Sequence, residues 1–299
     1  MTAPMDQVAI LLSTKNGARF INDQLRSVFA QTYRNKRLFW RDDGSTDDTV
    51  RTVRESFDCT PSDIAPLGVT RSYAKLLNLA WDAGCDFFAL ADQDDVWAHD
   101  KLARGVTILQ RIPGPALYCA RQTLVDVDLR IIGSSPLFHE PIGFPAALTQ
   151  NIAPGCTIIL NREAADLVRQ TMTDQPYHDW WCYLIVAAAG GSVVADPAEV
   201  MWYRQHDHNA IGAPSNRWKR ALNAMRRGPS GFMTVFRTNV GYLHANAAFL
   251  SPTARQDLEA ITTALNGGML HRLRALRHPG FRRQTRSENS VFWLWFMFG

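Results

Sequence analysis

The peptide FFALADQDDVWAHDK, residues 87–101, changes character in mid-course. Its first five residues, Phe87-Phe88-Ala89-Leu90-Ala91, form the unbroken apolar run of a strand buried on both faces of a parallel sheet. The run then gives way to Asp92, Asp94 and Asp95. A strand that leaves the core into a carboxylate cluster sets hard oxygen ligands at the carboxyl edge of a sheet. Open α/β folds bind their ligands at that edge. Mg2+ and Mn2+ accept such ligands and are commonly shared with substrate phosphates. A solvated acidic turn is the plainer reading of an isolated D-x-D. Trp97 and the helix start at Lys101-Leu102 argue for an ordered strand-loop-helix corner instead.

Two upstream segments end the same way. Gln7–Ser13 (QVAILLS) is a buried strand opening into Ser13-Thr14-Lys15-Asn16-Gly17. A helix follows over Phe20–Ala30, with Ile21, Leu25, Val28 and Phe29 at helical spacing. Lys36–Arg41 (KRLFWR) is a second strand, opening into Asp42-Asp43-Gly44-Ser45-Thr46-Asp47-Asp48. Ser45 or Thr46 is placed to cap a helix over Asp47–Phe57, with acids in its first turn where the dipole favours them. A turn-rich link through Pro61 and Pro66 leads to a helix near Ser72–Ala83. The order β-α-β-α-(β)-α-β predicts a mostly parallel sheet wound with helices. Right-handed crossovers bring the strand ends together. Ser13–Gly17, Asp42–Asp43 and Asp92–Asp95 then line one crevice.

Downstream, His99–Arg111 reads as a helix, and Ala116–Ala120 and Val125–Ile132 as further sheet. Ser134–Pro145 is a Pro/Gly-rich loop, and Gly155–Leu160 a strand before a helix over Glu163–Met172 capped by Asn161. Tyr177-His178-Asp179-Trp180-Trp181 opens another helix. Ser192–Asp196 and Met201–Arg204 are strand-like and lead into Gln205-His206-Asp207-His208-Asn209.

These positions suit particular chemistry. A fixed Asp43 can accept hydrogen bonds from a nucleobase N–H or a ribose hydroxyl, and Gly44 lets the backbone approach. Ser13 and Thr14 can add contacts to base or ribose. Asp179 reads either as a carboxylate at a helix start or as a general base beside an aromatic floor suited to the C–H faces of sugars. His206 and His208, two apart in a polar loop, read either as structural histidines or as a source of one nitrogen ligand to a metal.

Composition narrows the classes. The chain has 299 residues, enough for one sizeable domain with an appendage. No repeat, signal-peptide pattern or run of about 18 apolar residues occurs. The five cysteines, Cys59, Cys85, Cys119, Cys156 and Cys182, are scattered, which suits reduced thiols in the cytoplasm and no zinc site. From Arg217 onward, 13 Lys/Arg face 3 Asp/Glu, against an overall charge of +4. An acidic first part is followed by a basic tail.

Taken together, LLSTKNG, RDDGSTDDT, ADQDDVW, HDWW and YRQHDHN resemble family-2 glycosyltransferases of the GT-A fold, above all bacterial rhamnosyltransferase-type members. The resemblance covers roughly residues 7–212. It implies a GT-A catalytic domain over 1–212 and a helical, basic appendage over 213–299. It also implies a nucleoside-diphosphate-sugar donor lying across the carboxyl edge of the sheet. Thr14 and Asn16 would then lie near the nucleotide, Asp43 would hold base or ribose, and Asp92 would face ribose or sugar. Asp94 would ligate Mg2+ or Mn2+, with His206 (or His208) completing the metal site. Asp179 matches the base that activates the acceptor hydroxyl. Arg71 or Arg204 is placed to assist at the diphosphate. Arg41 and Ser72 stand where relatives commonly carry a small residue and Asn. The implied reaction is an inverting transfer, with L-rhamnose from dTDP-rhamnose as first choice and UDP- or GDP-sugars as alternatives. Its acceptor would be a saccharide hydroxyl in cell-surface polysaccharide synthesis of the O-antigen or lipopolysaccharide type.

The tail (RWKRALNAMRR, MLHRLRALRH, GFRRQTR, VFWLWFMFG) reads as a solvated face, a homodimer contact or a dock on the inner face of the cell membrane. In the last case arginines meet anionic headgroups while Trp293, Trp295 and the phenylalanines insert. That arrangement fits a lipid-linked acceptor. No stacking or groove-reading motif accompanies the charge, which argues against nucleic acid. One reading of another class is a haloacid-dehalogenase-type phosphatase with Asp92 as nucleophile, since D-Q-D-D-V follows a strand. It leaves DDGS and HDWW unexplained. A non-catalytic saccharide-binding relative would have no use for Asp179.

Overall fold

The computed structural model describes residues 6–57, 59, 61–206 and 217–299, with the backbone alone over 217–228. The first strand, β1 (Val8–Thr14), is followed by α1 (Ile21–Phe29), β2 (Lys36–Asp42), α2 (Thr49–Phe57) and α3 (Val69–Asp82). No strand forms between α2 and α3 among the described residues, so the bracketed element of the sequence pattern is absent. Then come β3 (Phe87–Ala91), a two-residue β4 (Val96–Trp97) and α4 (Lys101–Leu109). The middle of the chain holds β5 (Ala116–Val125), β6 (Ile131–Ser134), the short α5 (Ala146–Thr149) and β7 (Ile159–Asn161). It continues through α6 (Arg162–Thr171), α7 (His178–Ala188) and β8 (Ser192–Arg204). Four helices close the chain: α8 (Arg217–Ala245), α9 (Pro252–Asn266), α10 (Met269–Leu276) and α11 (Arg286–Phe298).

The sheet runs β2-β1-β3-β7-β5-β8-β4, with β6 beside β5. Its first three strands are parallel, as the apolar runs predict. Thr14 pairs with Asp42 and Leu12 with Ala91, so all three carboxyl ends meet at one edge. Beyond β3 the sheet is mixed, which refines the mostly parallel expectation. The three-residue β7 is antiparallel to both β3 and β5. Because β7 runs backwards, the residues preceding it lie at the carboxyl end of β3. There Leu90 N–H donates to Ile158 O at 3.1 Å. β8 is parallel to β5 but antiparallel to β4, pairing Val96 with Trp202. Its last residues therefore pass the acidic loop. The two strand-like pieces at 192–196 and 201–204 are one strand. Its register shifts around Pro197, which cannot donate to a ladder and sits at a bulge.

Alternate residues of β1 face two apolar layers. Val8, Ile10 and Leu12 pack with α1 and α4, while Ala9 and Leu11 pack with α3, α6 and α7. The second layer extends without a break into the C-terminal helices through Phe236, Leu243, Phe281, Phe292 and Phe296. Phe281 meets Phe292 and Phe296 edge-on, with centroids 5.1 and 5.2 Å apart. Each such ring contributes about 1.5–3 kcal/mol by burial. This corrects the view of VFWLWFMFG as an interfacial run. Trp295, Phe292 and Phe296 are core, and Trp293, Leu294 and Phe298 point outward.

Candidate active site

Three loops at the shared edge are stitched by side chains that stand in for a β-ladder. Gln93 Oε1 accepts from Lys15 N–H at 2.8 Å, and its Nε2 donates to Lys15 O at 3.0 Å. Gly17 leaves room for this, because a Cβ there would lie 2.4 Å from Gln93 Oε1. Asn16 takes a positive φ of 52°. Its Oδ1 accepts from Thr46 N–H and its N–H donates to Ser45 Oγ, both at 2.8 Å. Ser45 and Thr46 are thus spent on loop closure, and Asp47 serves the start of α2 by accepting from Thr49 N–H at 3.0 Å.

Beneath the loops, Asp42 accepts from Thr14 Oγ1 (2.8 Å), Ser45 N–H (2.7 Å) and Ser45 Oγ (2.6 Å). Thr14 is buried and also accepts from Trp40 Nε1 at 3.0 Å. Its hydroxyl is therefore committed within the protein and braces the strand ends from below. Ser13, half-buried, ends β1 beside it.

Asp43 is a hub. Its Oδ1 accepts from Leu67 N–H at 2.6 Å, Gly68 N–H at 3.0 Å, Arg41 at 3.0 Å and Ser72 Oγ at 3.2 Å. Burial raises its pKa, but the Leu67 amide, Arg41, Gly68 and Ser72 outweigh that and hold the carboxyl below the usual range. Arg41 is fully buried and also contacts Ser72. The two residues that depart from the family pattern are thus partners of one another and of Asp43.

The acidic loop gathers like charges. Burial, and then Asp94, push Asp92 up to about 7. Asp179 also raises it, while the hydroxyl of Tyr73, 3.2 Å from Asp92 Oδ1, lowers it. Asp94 Oδ2 lies 2.8 Å from His206 Nε2, and the His206 ring stacks on Phe20 with centroids 5.0 Å apart. Asp95 is fully buried, and burial raises it strongly. Lys101, also buried and pushed down to about 7, lies over the Trp97 ring at 3.4 Å. His208 lies outside the described residues.

Asp179 opens α7. Its Oδ2 accepts from Asn151 Nδ2 at 2.9 Å, and its Oδ1 accepts from Trp180 N–H at 2.7 Å. Beside it the His178 ring stacks on Tyr73 at 4.2 Å, the same Tyr73 that reaches Asp92. Asp43, Asp92, Asp94, His206 and Asp179 are therefore gathered round one crevice by Tyr73, Ser72 and the loops. Arg71 departs from its expected place, forming an exposed ion pair with Asp174 at 2.5 Å. Arg204 is also committed elsewhere, bracing the acidic loop through Asp94 O at 3.0 Å and pairing with Asp23 at 2.9 Å.

Asn151 escaped the sequence reading, because a lone Asn in QNIAPG carries no pattern. Its Oδ1 accepts from Ala153 N–H at 2.9 Å, which fixes the amide with Nδ2 toward Asp179. Asn151→Ala is expected to lower kcat by about 10- to 100-fold with KM unchanged, in line with about 1.5–3 kcal/mol for a hydrogen bond to a charged group. Steady-state kinetics that show KM rising and kcat intact would assign Asn151 to binding.

Comparison with known proteins gives the family and the fold. The dTDP-rhamnosyl transferase RfbG of Shigella flexneri is 26% identical over 225 residues, 68% of this chain and 74% of that protein. An uncharacterized glycosyltransferase of Haemophilus influenzae is 22% identical over 74% of this chain and 72% of its own length. Among solved structures, S. aureus TarS 1–349 with UDP-GlcNAc superposes with a TM-score of 0.59 at 15% identity, over 90% of this chain and 78% of that one. The mannosyltransferase PcManGT of Pyrobaculum calidifontis, in complex with GDP-Man and Mn2+, gives 0.52 at 18% identity, over 98% and 86%. At these identities the two structures speak to fold, which is of the GT-A type. A family model described as glycosyl transferase family 2 matches residues 9–166, more than half of the 299-residue chain. This chain belongs to glycosyltransferase family 2.

Proposed function

We propose that this enzyme moves a sugar from a nucleoside-diphosphate donor to a saccharide hydroxyl with inversion, and that Asp179 is its base. The observation that carries the reading is Asp179 held by Asn151 at 2.9 Å, with Asp92 near enough to feel its charge. Asp179 takes the proton of the attacking hydroxyl as the new C1–O bond forms. The bond from C1 to the diphosphate breaks, and the nucleoside diphosphate leaves. Asp43 and the loop amides around Asn16 position the nucleoside, and Asp92 faces its ribose or the sugar.

The donor set fits a hard divalent cation. Three carboxylates crowd one loop, and Asp94 brings an oxygen to within 2.8 Å of a histidine nitrogen. Asp94 and His206 would hold Mg2+ or Mn2+, which offsets charge on a departing diphosphate by several kcal/mol. Asp92, Asp95 and Cys156 also bring ligand atoms within 4.8 Å of one another. That trio is a poorer match, because burial holds the Cys156 thiol protonated and Lys101 adds positive charge beside it. His206→Ala is expected to raise the Mn2+ concentration for half-activation by at least about tenfold. Unchanged metal dependence would move the site to other residues.

The similarity to RfbG, a dTDP-rhamnosyl transferase, supports dTDP-rhamnose as donor, and the acceptor we propose is a cell-surface saccharide. The phosphatase reading is set aside: Asp92 follows the third strand rather than opening the domain, and the chain belongs to glycosyltransferase family 2. The test is a panel of dTDP-, UDP- and GDP-sugars with Mn2+, following release of nucleoside diphosphate with and without a saccharide acceptor. Release from dTDP-rhamnose supports the proposed donor. Turnover of a UDP- or GDP-sugar instead replaces it and leaves the transfer chemistry standing.

A further inference from the structure

The last two helices leave apolar side chains in solvent although the aromatic core beside them is filled. On α10, Leu270, Leu273, Arg274 and Arg277 share one helical face at spacing i, i+3, i+4, i+7. All four are exposed, and Leu270 is 81% so. On α11 the face opposite the buried Phe292 and Phe296 carries Trp293, Leu294 and Phe298, the last 72% exposed. Arg272 ties the two helices together, donating to the carbonyls of Phe296 (2.9 Å), Met297 (3.0 Å) and Gly299 (3.2 Å). The two helices therefore belong to one end of the molecule.

The charge there has one sign. Met269–Gly299 holds six arginines and a single acid, Glu288, which accepts from Thr285 Oγ1 at 2.9 Å at the start of α11. Exposed apolar residues rimmed by guanidinium groups match a surface with a negative skin and an oily interior. No helix among the described residues is long and apolar enough to cross a membrane.

We propose that this end of the molecule docks on an anionic phospholipid bilayer. Leu270, Leu273, Leu294 and Phe298 enter the acyl boundary, and Arg274 and Arg277 meet headgroup phosphates. The link between α10 and α11 carries the docked end to the catalytic base. Arg283 Nε donates to Thr149 O at 2.8 Å, Thr149 Oγ1 donates to Arg282 O at 3.1 Å, and Gln284 Oε1 accepts from His139 N–H at 2.7 Å. Two residues beyond Thr149 stands Asn151, which holds Asp179. The bilayer is thereby coupled to the acceptor side of the crevice, whichever sugar is transferred.

The test is flotation of the full chain with phosphatidylcholine vesicles, with and without phosphatidylglycerol. At least about tenfold more protein is expected on the anionic vesicles, with the excess falling as salt rises. Leu270→Glu is expected to abolish the excess. Arg274→Glu with Arg277→Glu, which touches no packed apolar residue, is expected to lower it at least about tenfold. Nucleotide-sugar binding by both variants serves as the check on folding. Equal flotation on the two vesicle types, or none on either, overturns the proposal. A dimer seen by light scattering and lost in Leu270→Glu, without flotation, assigns the face to a second copy of the chain.

Discussion

Asp179→Asn is expected to cut kcat by about 10²–10⁴ while leaving donor affinity unchanged. The amide matches the carboxylate in shape but takes no proton, so it can neither activate the acceptor hydroxyl nor offset its developing charge. The site should survive the change. An amide oxygen can still accept from Asn151 Nδ2, now at 2.9 Å, at the loss of the local contact from Trp180 N–H, and the backbone is held by close packing on Gly155. A Cβ on Gly155 would lie 3.3 Å from Asp179 Cβ. Turnover measured under saturating donor and acceptor, with nucleotide binding followed separately, isolates the chemical step. Unchanged turnover removes Asp179 from the mechanism.

The second large effect is on stability. Arg41→Met is expected to destabilise the fold by about 3–5 kcal/mol, because it strips the buried Asp43 carboxylate of its cation. Arg41 is 0% exposed at its side chain and Asp43 7%. Methionine fills much of the volume, so the loss reports the charge. The acid limb of stability should also flatten. Asp43 is held below its ordinary 3.8 in the folded state. The stability it contributes is present above that pH and drains away as pH falls through the lower folded value. Urea unfolding at neutral and acid pH measures both effects. A variant as stable as the parent would show that the Leu67 and Gly68 amides suffice for Asp43.

What the sequence showed and hid follows from element length. β1 and β3 are apolar runs and β2 carries the apolar Leu38-Phe39-Trp40, and each opens into polar residues, so their shared edge was legible in the sequence. Gly155–Leu160 was legible as a strand but its backward direction was not, and the two-residue β4 is too short for any period to register. The reversal of β7 carries Asn151 to the crevice, and β8, running parallel to β5, carries His206 there. The roles of Arg41 and Ser72 were hidden for another reason. Each looks like an isolated substitution along the chain, and only three dimensions show that they meet at one carboxylate.

The pairing of β4 with β8 has a consequence for how the protein comes into being. Val96 and Trp97 take their strand partners from Trp202 and Met201, and Asp94 O is braced by Arg204, 110 positions later. At about 5–20 residues per second, a ribosome needs roughly 5–20 s to supply that partner after the acidic loop emerges. Over that interval the parallel strands can assemble without the clasp, and the Asp94–His206 pair does not yet exist. The nascent chain becomes a glycosyltransferase only when β8 arrives.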